Sequence, residues 1–441
     1  MKRRLHELSD ASDRDARHLE RRQFLTSTAA GALPLLAGGA GAAAGAEKGT
    51  AETAAVGAHH SIIGDYGGWA AGLAPDPPKL SYRRQQFDDV DQWRTKAQGR
   101  TAELIASPDI GSHPSVTVTK QYRFGDLDVE ELSWELGYGR PTKAIVLKPS
   151  DVSGRLPAVL GLHDHGGNKF FGRRKITRTG ATIHPMMVSH QQQYYGGRSW
   201  ANELARRGYV VMVHDTFTFA SRRVLFGDMA EIPWGGASTR DKSDADVASE
   251  EGIRAYNDWA AAHEHVMAKS LFCAGTTWPG VFLGEDRRAL DVLCARDDVD
   301  AEHVGCAGLS GGGLRTVYLG GLDSRIKCAV CVGFMSTWKD FLMNKSYTHT
   351  WMTYAPLLPN ELEFPEILGL RVPRPTLIQS CTEDELYTLP EMQSADRILS
   401  AIFEKAGAAE CYQGRFYSGG HKFDVPMQQD AFAWFDQWLN S

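Results

Sequence analysis

Between residues 116 and 148, apolar and polar positions alternate in three short runs, 116–124, 129–136 and 143–148. A period of two marks strands with one buried face, and three in succession predict an antiparallel meander. The pattern then changes. Residues 160–162, 209–213, 304–309, 328–332 and 376–379 are short, continuously apolar runs, most of them separated by helical stretches. Such runs are strands covered on both faces, so the chain is expected to be α/β, with a mostly parallel central sheet flanked by helices. Ahead of the strands, residues 82–107 have helical spacing, with Phe87, Val90, Trp93, Leu104 and Ile105 on one stripe. Three segments, near 168–200, 217–282 and 334–371, are longer than a simple crossover needs. Insertions of that length in α/β sheets belong at the carboxyl ends of the strands, where ligands bind.

The first 46 residues stand outside this pattern. A charged stretch ends in Arg21-Arg22-Gln23-Phe24-Leu25, an Ala/Gly/Leu run follows, and Ala44-Gly45-Ala46 supplies small-x-small cleavage chemistry. This resembles a twin-arginine export signal, although Glu20 and Thr26 replace its usual residues. The run is too broken by Gly and Pro for a stable membrane span. The expected organisation is therefore a signal peptide at 1–46, an N-terminal extension at 47–110 and a catalytic domain at 111–441, with periplasmic or secreted localisation. Residues 47–80, rich in Ala, Gly and Pro, are expected to wrap the surface or move. Net charge is −6 and no basic stripe is interleaved with aromatics, which argues against nucleic-acid partners. Seven cysteines at irregular spacing form no disulfide framework. Cys328 and Cys331 form a CxxC, but positions three apart on a strand face opposite ways and cannot share a metal.

The candidate chemistry lies at Gly308-Leu309-Ser310-Gly311-Gly312. A G-x-S-x-G match arises by chance about 0.2–0.3 times in this length, so context decides. A buried strand precedes it and a helix start follows, which is the sharp turn that exposes a strained nucleophilic serine. A serine hydroxyl needs a base, and only His349 and His421 lie downstream. His349 falls within the third long segment, as a pocket or surface residue. His421 follows the strand 411–417 and precedes the helix 428–439, so it is the expected base. Three carboxylates, Glu383, Asp384 and Glu385, follow the strand 376–379. An oxyanion donor is expected from Gly311, just after the serine, and His163-Asp164-His165-Gly166-Gly167 follows the strand 160–162. His165, Trp278, Trp338 and Trp351 are candidate pocket residues, the tryptophans as platforms for sugars. His59-His60, His163–His165 and His263-Glu264-His265 lack H-E-x-x-H spacing, so neither a metal nor another cofactor is expected.

Together these motifs resemble the bacterial dienelactone-hydrolase and acetyl-xylan-esterase-like branch of the α/β-hydrolase superfamily, from about residue 156 to the C-terminus. Asp215-Thr-Phe-Thr-Phe-Ala-Ser-Arg222 resembles that branch's D-x-x-x-F-G-x-R segment, with Ala220 in place of Gly. Gly284–Asp291, Val299-Asp300 and Pro373-Arg374-Pro375 fit as well. The resemblance implies an α/β-hydrolase fold, Asp384 as the triad acid, and Gly167 of the His-Gly-Gly loop as the second oxyanion donor. Dienelactone hydrolases proper use Cys where this chain has Ser310. The expected activity is hydrolysis of small-molecule or carbohydrate esters, acetyl esters foremost, through an acyl-enzyme. Rival readings are a prolyl-oligopeptidase-like peptidase and a non-catalytic binding protein on the same scaffold. About 110 residues before the sheet cannot form the propeller that the peptidase carries.

Overall fold

The computed structural model describes residues 60–111 and 113–440. The region expected to be a signal peptide, Arg21 and Arg22 included, lies outside the described residues. Nine strands form one sheet in the order β1-β2-β3-β5-β4-β6-β7-β8-β9. β1 (Thr117–Phe124), β2 (Leu127–Trp134) and β3 (Thr142–Pro149) are the expected antiparallel meander, and β3 also runs antiparallel to β5 (Val210–His214). From β5 onward every pairing is parallel, through β4 (Leu156–Gly161), β6 (Val299–Leu309), β7 (Ile326–Val332), β8 (Thr376–Cys381) and β9 (Tyr412–Tyr417).

The parallel strands are apolar at successive positions because both sheet faces are covered. On one face Val146, Leu160, Met212, Cys306 and Cys331 pack with Phe282, Leu290, Leu314 and Tyr318. These last come from α5 (Trp278–Cys294) and α6 (Gly311–Leu322). On the other, Leu147, Val159, Val211, Cys328 and Val330 pack with Phe432 and Phe435 of α8 (Val425–Leu439). Cys328 and Cys331 thus lie in opposite layers, as a period of two requires.

The expected helix at 82–107 forms as α1 (Val90–Ile105), and starts later than its periodicity suggests. Asp89 caps it by accepting from the N–H groups of Asp91 and Gln92. Residues 60–80, expected to wrap or move, are pinned at several points. Ile62 N–H donates to the Met343 carbonyl, Lys79 N–H to Asn360 and Leu80 N–H to Glu361.

The three long segments follow the carboxyl ends of β4, β5 and β7. The first holds α2 (Pro185–Tyr195) and leads into α3 (Trp200–Ala205). The second holds the 24-residue α4 (Glu250–Cys273), and the third a series of short helical turns. The remaining long helix, α7 (Leu389–Lys405), connects β8 to β9.

Candidate active site

Ser310 sits between β6 and α6 with φ +57° and ψ −120°, a conformation rarely tolerated by a residue with a side chain. Its N–H is tied to the carbonyl of Val332 at the end of β7 (2.9 Å). The turn is tight enough that a Cβ on Gly312 would stand 2.0 Å from the Leu162 carbonyl oxygen, and one on Gly308 2.4 Å from it. Those two glycines let α6 start directly against the end of β4, which explains the residue types on either side of the serine.

His421 and Asp384 come from the loops after β9 and β8. The loops are joined by Thr382 N–H donating to the Tyr417 carbonyl (2.8 Å) and Glu383 N–H to that of Gly419 (3.1 Å). Asp384, 4 % exposed, accepts from Nδ1 of His421 at 2.7 Å through one oxygen. The other oxygen accepts from the N–H of Leu386 at 3.0 Å. Glu383 and Glu385 face solvent. Of the three adjacent carboxylates, Asp384 alone meets the imidazole.

The His421 ring packs against Gly333, the residue after Val332, where a Cβ would lie 3.0 Å from Cε1. Nε2 of His421 is buried and has no hydrogen-bond partner among the described residues, Ser310 included. The expected contact from His421 to Ser310 is therefore not formed as a hydrogen bond. Such contacts are often long until substrate is bound.

His349 is half-buried and turned away from Asp384 and His421. Its Nε2 lies 3.0 Å from the Leu386 carbonyl, and its ring packs among Phe334, Phe341 and Tyr387 at 4.7–5.5 Å. Burial holds it neutral, with its pKa drawn down to about 4.

The oxyanion assignment needs one correction. Gly166 and Gly167 take φ +49° and +62°, and the turn they make folds the Gly167 N–H back onto Nδ1 of His165 (3.1 Å). The Gly167 N–H is thus already engaged. The backbone nitrogen of His165 instead stands 2.9 Å from where a Cβ on Gly311 would lie. The N–H groups of His165 and Gly311 donate to no protein group among the described residues. Of the two peptides in this loop, the one ending at His165 therefore keeps a free N–H beside Gly311, and the one ending at Gly167 does not.

The His165 ring is held at both nitrogens, since Nε2 meets Oε1 of Glu264 at 2.7 Å. Glu264, in α4, also bonds Nζ of the buried Lys169 (2.8 Å), the hydroxyl of Thr350 (2.6 Å) and the N–H of Trp351 (3.3 Å). Although burial opposes ionisation, Lys169 and His165 hold this carboxylate well below its usual range. Spacing alone did not single out Glu264. Its neighbour His263 stacks on Trp259 at 4.8 Å.

The tryptophan expectations also need revision. Trp278 is 1 % exposed, in the core beneath Lys169, and cannot stack on a sugar. Trp338 donates its indole N–H to the Leu362 carbonyl and packs on Phe341 and Phe364. Its edge lines a cavity of about 430 Å³, shared with Phe272, Tyr354 and Leu357, to which Ser310, Asp384 and His421 do not contribute. Trp351 is 41 % exposed and is the one platform of the three left open. Tyr194 was not foreseen. Its ring meets that of His421 edge-on at 6.3 Å.

Ser310, Asp384, His421 and the His165 loop all project from the carboxyl ends of parallel strands, and the fold is that of the α/β hydrolases. Comparisons with known proteins agree. A Bacillus subtilis protein, YtaP, provisionally named a hydrolase, is 26 % identical over 314 residues, covering 70 % of this chain and 88 % of its own. A Bacteroides fragilis structure provisionally named an acetyl xylan esterase superposes with a TM-score of 0.60 at 14 % identity, over 81 % of this chain and 82 % of its own. A glucuronoyl esterase from Solibacter usitatus gives 0.54 at 12 % identity, over 79 % and 94 %. No family model matches the chain.

Proposed function

We propose that this protein is a serine hydrolase that cleaves carboxylic esters through an acyl-enzyme. Ser310 is the nucleophile, His421 the base and Asp384 the acid that holds the imidazole. The observation that carries this reading is the 2.7 Å bond from Nδ1 of His421 to the buried Asp384, with Nε2 left unpaired. That arrangement fixes the tautomer in which Nε2 takes a proton. Ser310 loses its proton to Nε2 as Oγ attacks the ester carbonyl, and the N–H groups of Gly311 and His165 receive the oxyanion. The imidazolium then protonates the departing alcohol, and water repeats the sequence on the acyl-enzyme. The mechanism calls for no cofactor.

Carbohydrate acetyl esters are the proposed substrates. Support comes from the acetyl xylan esterase name carried by one structural neighbour and from Trp351 at an exposed position. The proposed export route rests on Arg21-Arg22 and the cleavage-like Ala44-Gly45-Ala46. Among the described residues, no helix is long and apolar enough to cross a membrane.

The test is labelling by a fluorophosphonate, with the modified residue located by mass spectrometry. It is run beside assays on p-nitrophenyl acetate, acetylated xylan and a methyl ester of glucuronic acid. Label on Ser310 with turnover of acetyl esters is the expected result. A folded protein that neither takes the label nor cleaves any ester would sink the reading. Export is checked by fractionation, where replacing Arg21 and Arg22 by lysine should keep the protein in the cytoplasm.

A further inference from the structure

Lys175 is fully buried, 0 % exposed, in the segment after β4. Its Nζ donates to the carbonyl oxygens of Asp164 and His165, both at 2.8 Å. The first of these belongs to the same peptide unit as the His165 N–H. In a trans peptide the C=O and N–H point in opposite directions, so whatever holds the Asp164 oxygen also aims the His165 N–H. That N–H is the one set against Gly311. Nδ1 of His163 lies 3.0 Å from the same oxygen and adds a second hold.

We infer that Lys175 is a positioning residue for ester hydrolysis, which aims and polarises the Asp164–His165 peptide so that its N–H stabilises the oxyanion. The inference rests on the serine-esterase reading above. A cation on a carbonyl oxygen draws electron density across the peptide and makes its N–H a stronger donor, and in a buried site this effect is little screened. Lys175 approaches no reacting atom. It acts through the peptide.

The groups around Lys175 come from every segment packed on it. From the loop after β4 come His163, Asp164, with Oδ2 3.6 Å away, the carbonyl of His165, and Lys169. From the loop after β5 come Asp215, itself paired with Arg173, and the ring of Phe219 at 4.9 Å. Asp164 is in turn shared with His190 and with the hydroxyl of Tyr195, both of α2. Burial pulls the Lys175 ammonium down to about 8, assisted by Lys169 and opposed by Asp164 and Asp215. The charged form is the one that polarises the peptide, so kcat should fall as pH rises through that region.

The experiment uses the full chain and its Lys175→Met variant. Stability is followed by thermal unfolding, steady-state kinetics are measured on p-nitrophenyl acetate from pH 6 to 10, and inhibition is measured with a trifluoromethyl ketone, whose hemiketal oxygen needs the same two N–H donors. The variant should fold and keep KM within about threefold. It should lose on the order of 10²-fold in kcat, the scale of one oxyanion donor, and a similar factor in inhibitor affinity. The alkaline limb of the wild-type kcat profile should be absent from it. A kcat within threefold of wild type, a loss confined to KM, or inhibitor affinity unchanged beside a reduced kcat would each overturn the inference.

Should the Met variant fail to fold, Lys175→Gln decides by the same criteria, since it removes the charge but keeps an N–H donor in the cleft. An inactive wild type that takes no fluorophosphonate label defeats the serine-esterase reading and this inference together. An active wild type matched by its Lys175 variants defeats this inference alone.

Discussion

Among the described residues, two carboxylate–histidine pairs have the same length. Asp384 meets Nδ1 of His421 at 2.7 Å, and Glu264 meets Nε2 of His165 at 2.7 Å. Distance does not distinguish them. In the first pair the opposite nitrogen is buried and unpaired, whereas in the second it accepts the N–H of Gly167. The unpaired nitrogen leaves the first pair free to take up a proton, as the proposed mechanism requires, whereas both nitrogens of the second are engaged in holding a loop. Counter-charges separate them too. Glu264 has the buried ammonium of Lys169 beside it at 2.8 Å, while Asp384 is bonded to a ring and a backbone N–H.

Substitutions can break this contrast at either pair. Ser310→Ala and His421→Ala should each lower kcat on esters by about 10⁴–10⁶-fold with the melting temperature little changed, because members of a triad act as a unit. A variant within tenfold of wild type would remove that residue from the mechanism. Asp384→Asn should cost about 10³–10⁴-fold in kcat, the scale of a triad acid that can no longer fix the tautomer.

The second pair should respond in stability. Lys169→Met leaves Glu264 charged and buried without its cation, and should reduce the free energy of unfolding in urea by about 3–5 kcal/mol. A change below 1 kcal/mol would mean that the Glu264 cluster is solvated and that the contrast is misdrawn. His349→Ala should keep kcat within tenfold, since its Nε2 is committed to the Leu386 carbonyl. Glu383→Gln and Glu385→Gln, on exposed side chains, should change it least of all.

The first pair could be found in the sequence and the second could not, for a physical reason. Ser310, Asp384 and His421 each follow a strand, and strand pattern and chain order survive in one dimension. The faces assigned to Cys328 and Cys331 followed from the period of two in the same way. Which N–H of the His165 loop stays free depends on backbone dihedrals at Gly166 and Gly167, and no residue-type pattern separates the N–H of 165 from that of 167. Glu264 reaches His165 across 99 positions of sequence, and spacing rules see only neighbours on one helix. The exposure of the tryptophans was hidden for a similar reason. Trp278 and Trp351 have the same side chain, and only packing makes one 1 % and the other 41 % exposed.

Glu264 and its four partners come from three segments. His165 and Lys169 follow β4, Glu264 itself stands in the segment after β5, and Thr350 and Trp351 follow β7. Loops on such a scaffold are usually regarded as interchangeable modules, each free to be exchanged for a new specificity. Here they are not independent. Grafting the β4 loop alone into a relative would bring an ammonium without its carboxylate, and grafting the β5 segment alone a carboxylate without its ammonium. Each defect costs several kcal/mol, a large share of the about 5–15 kcal/mol by which folded proteins are ordinarily stable. The three segments can therefore be transferred, or diversified in a library, only as a set.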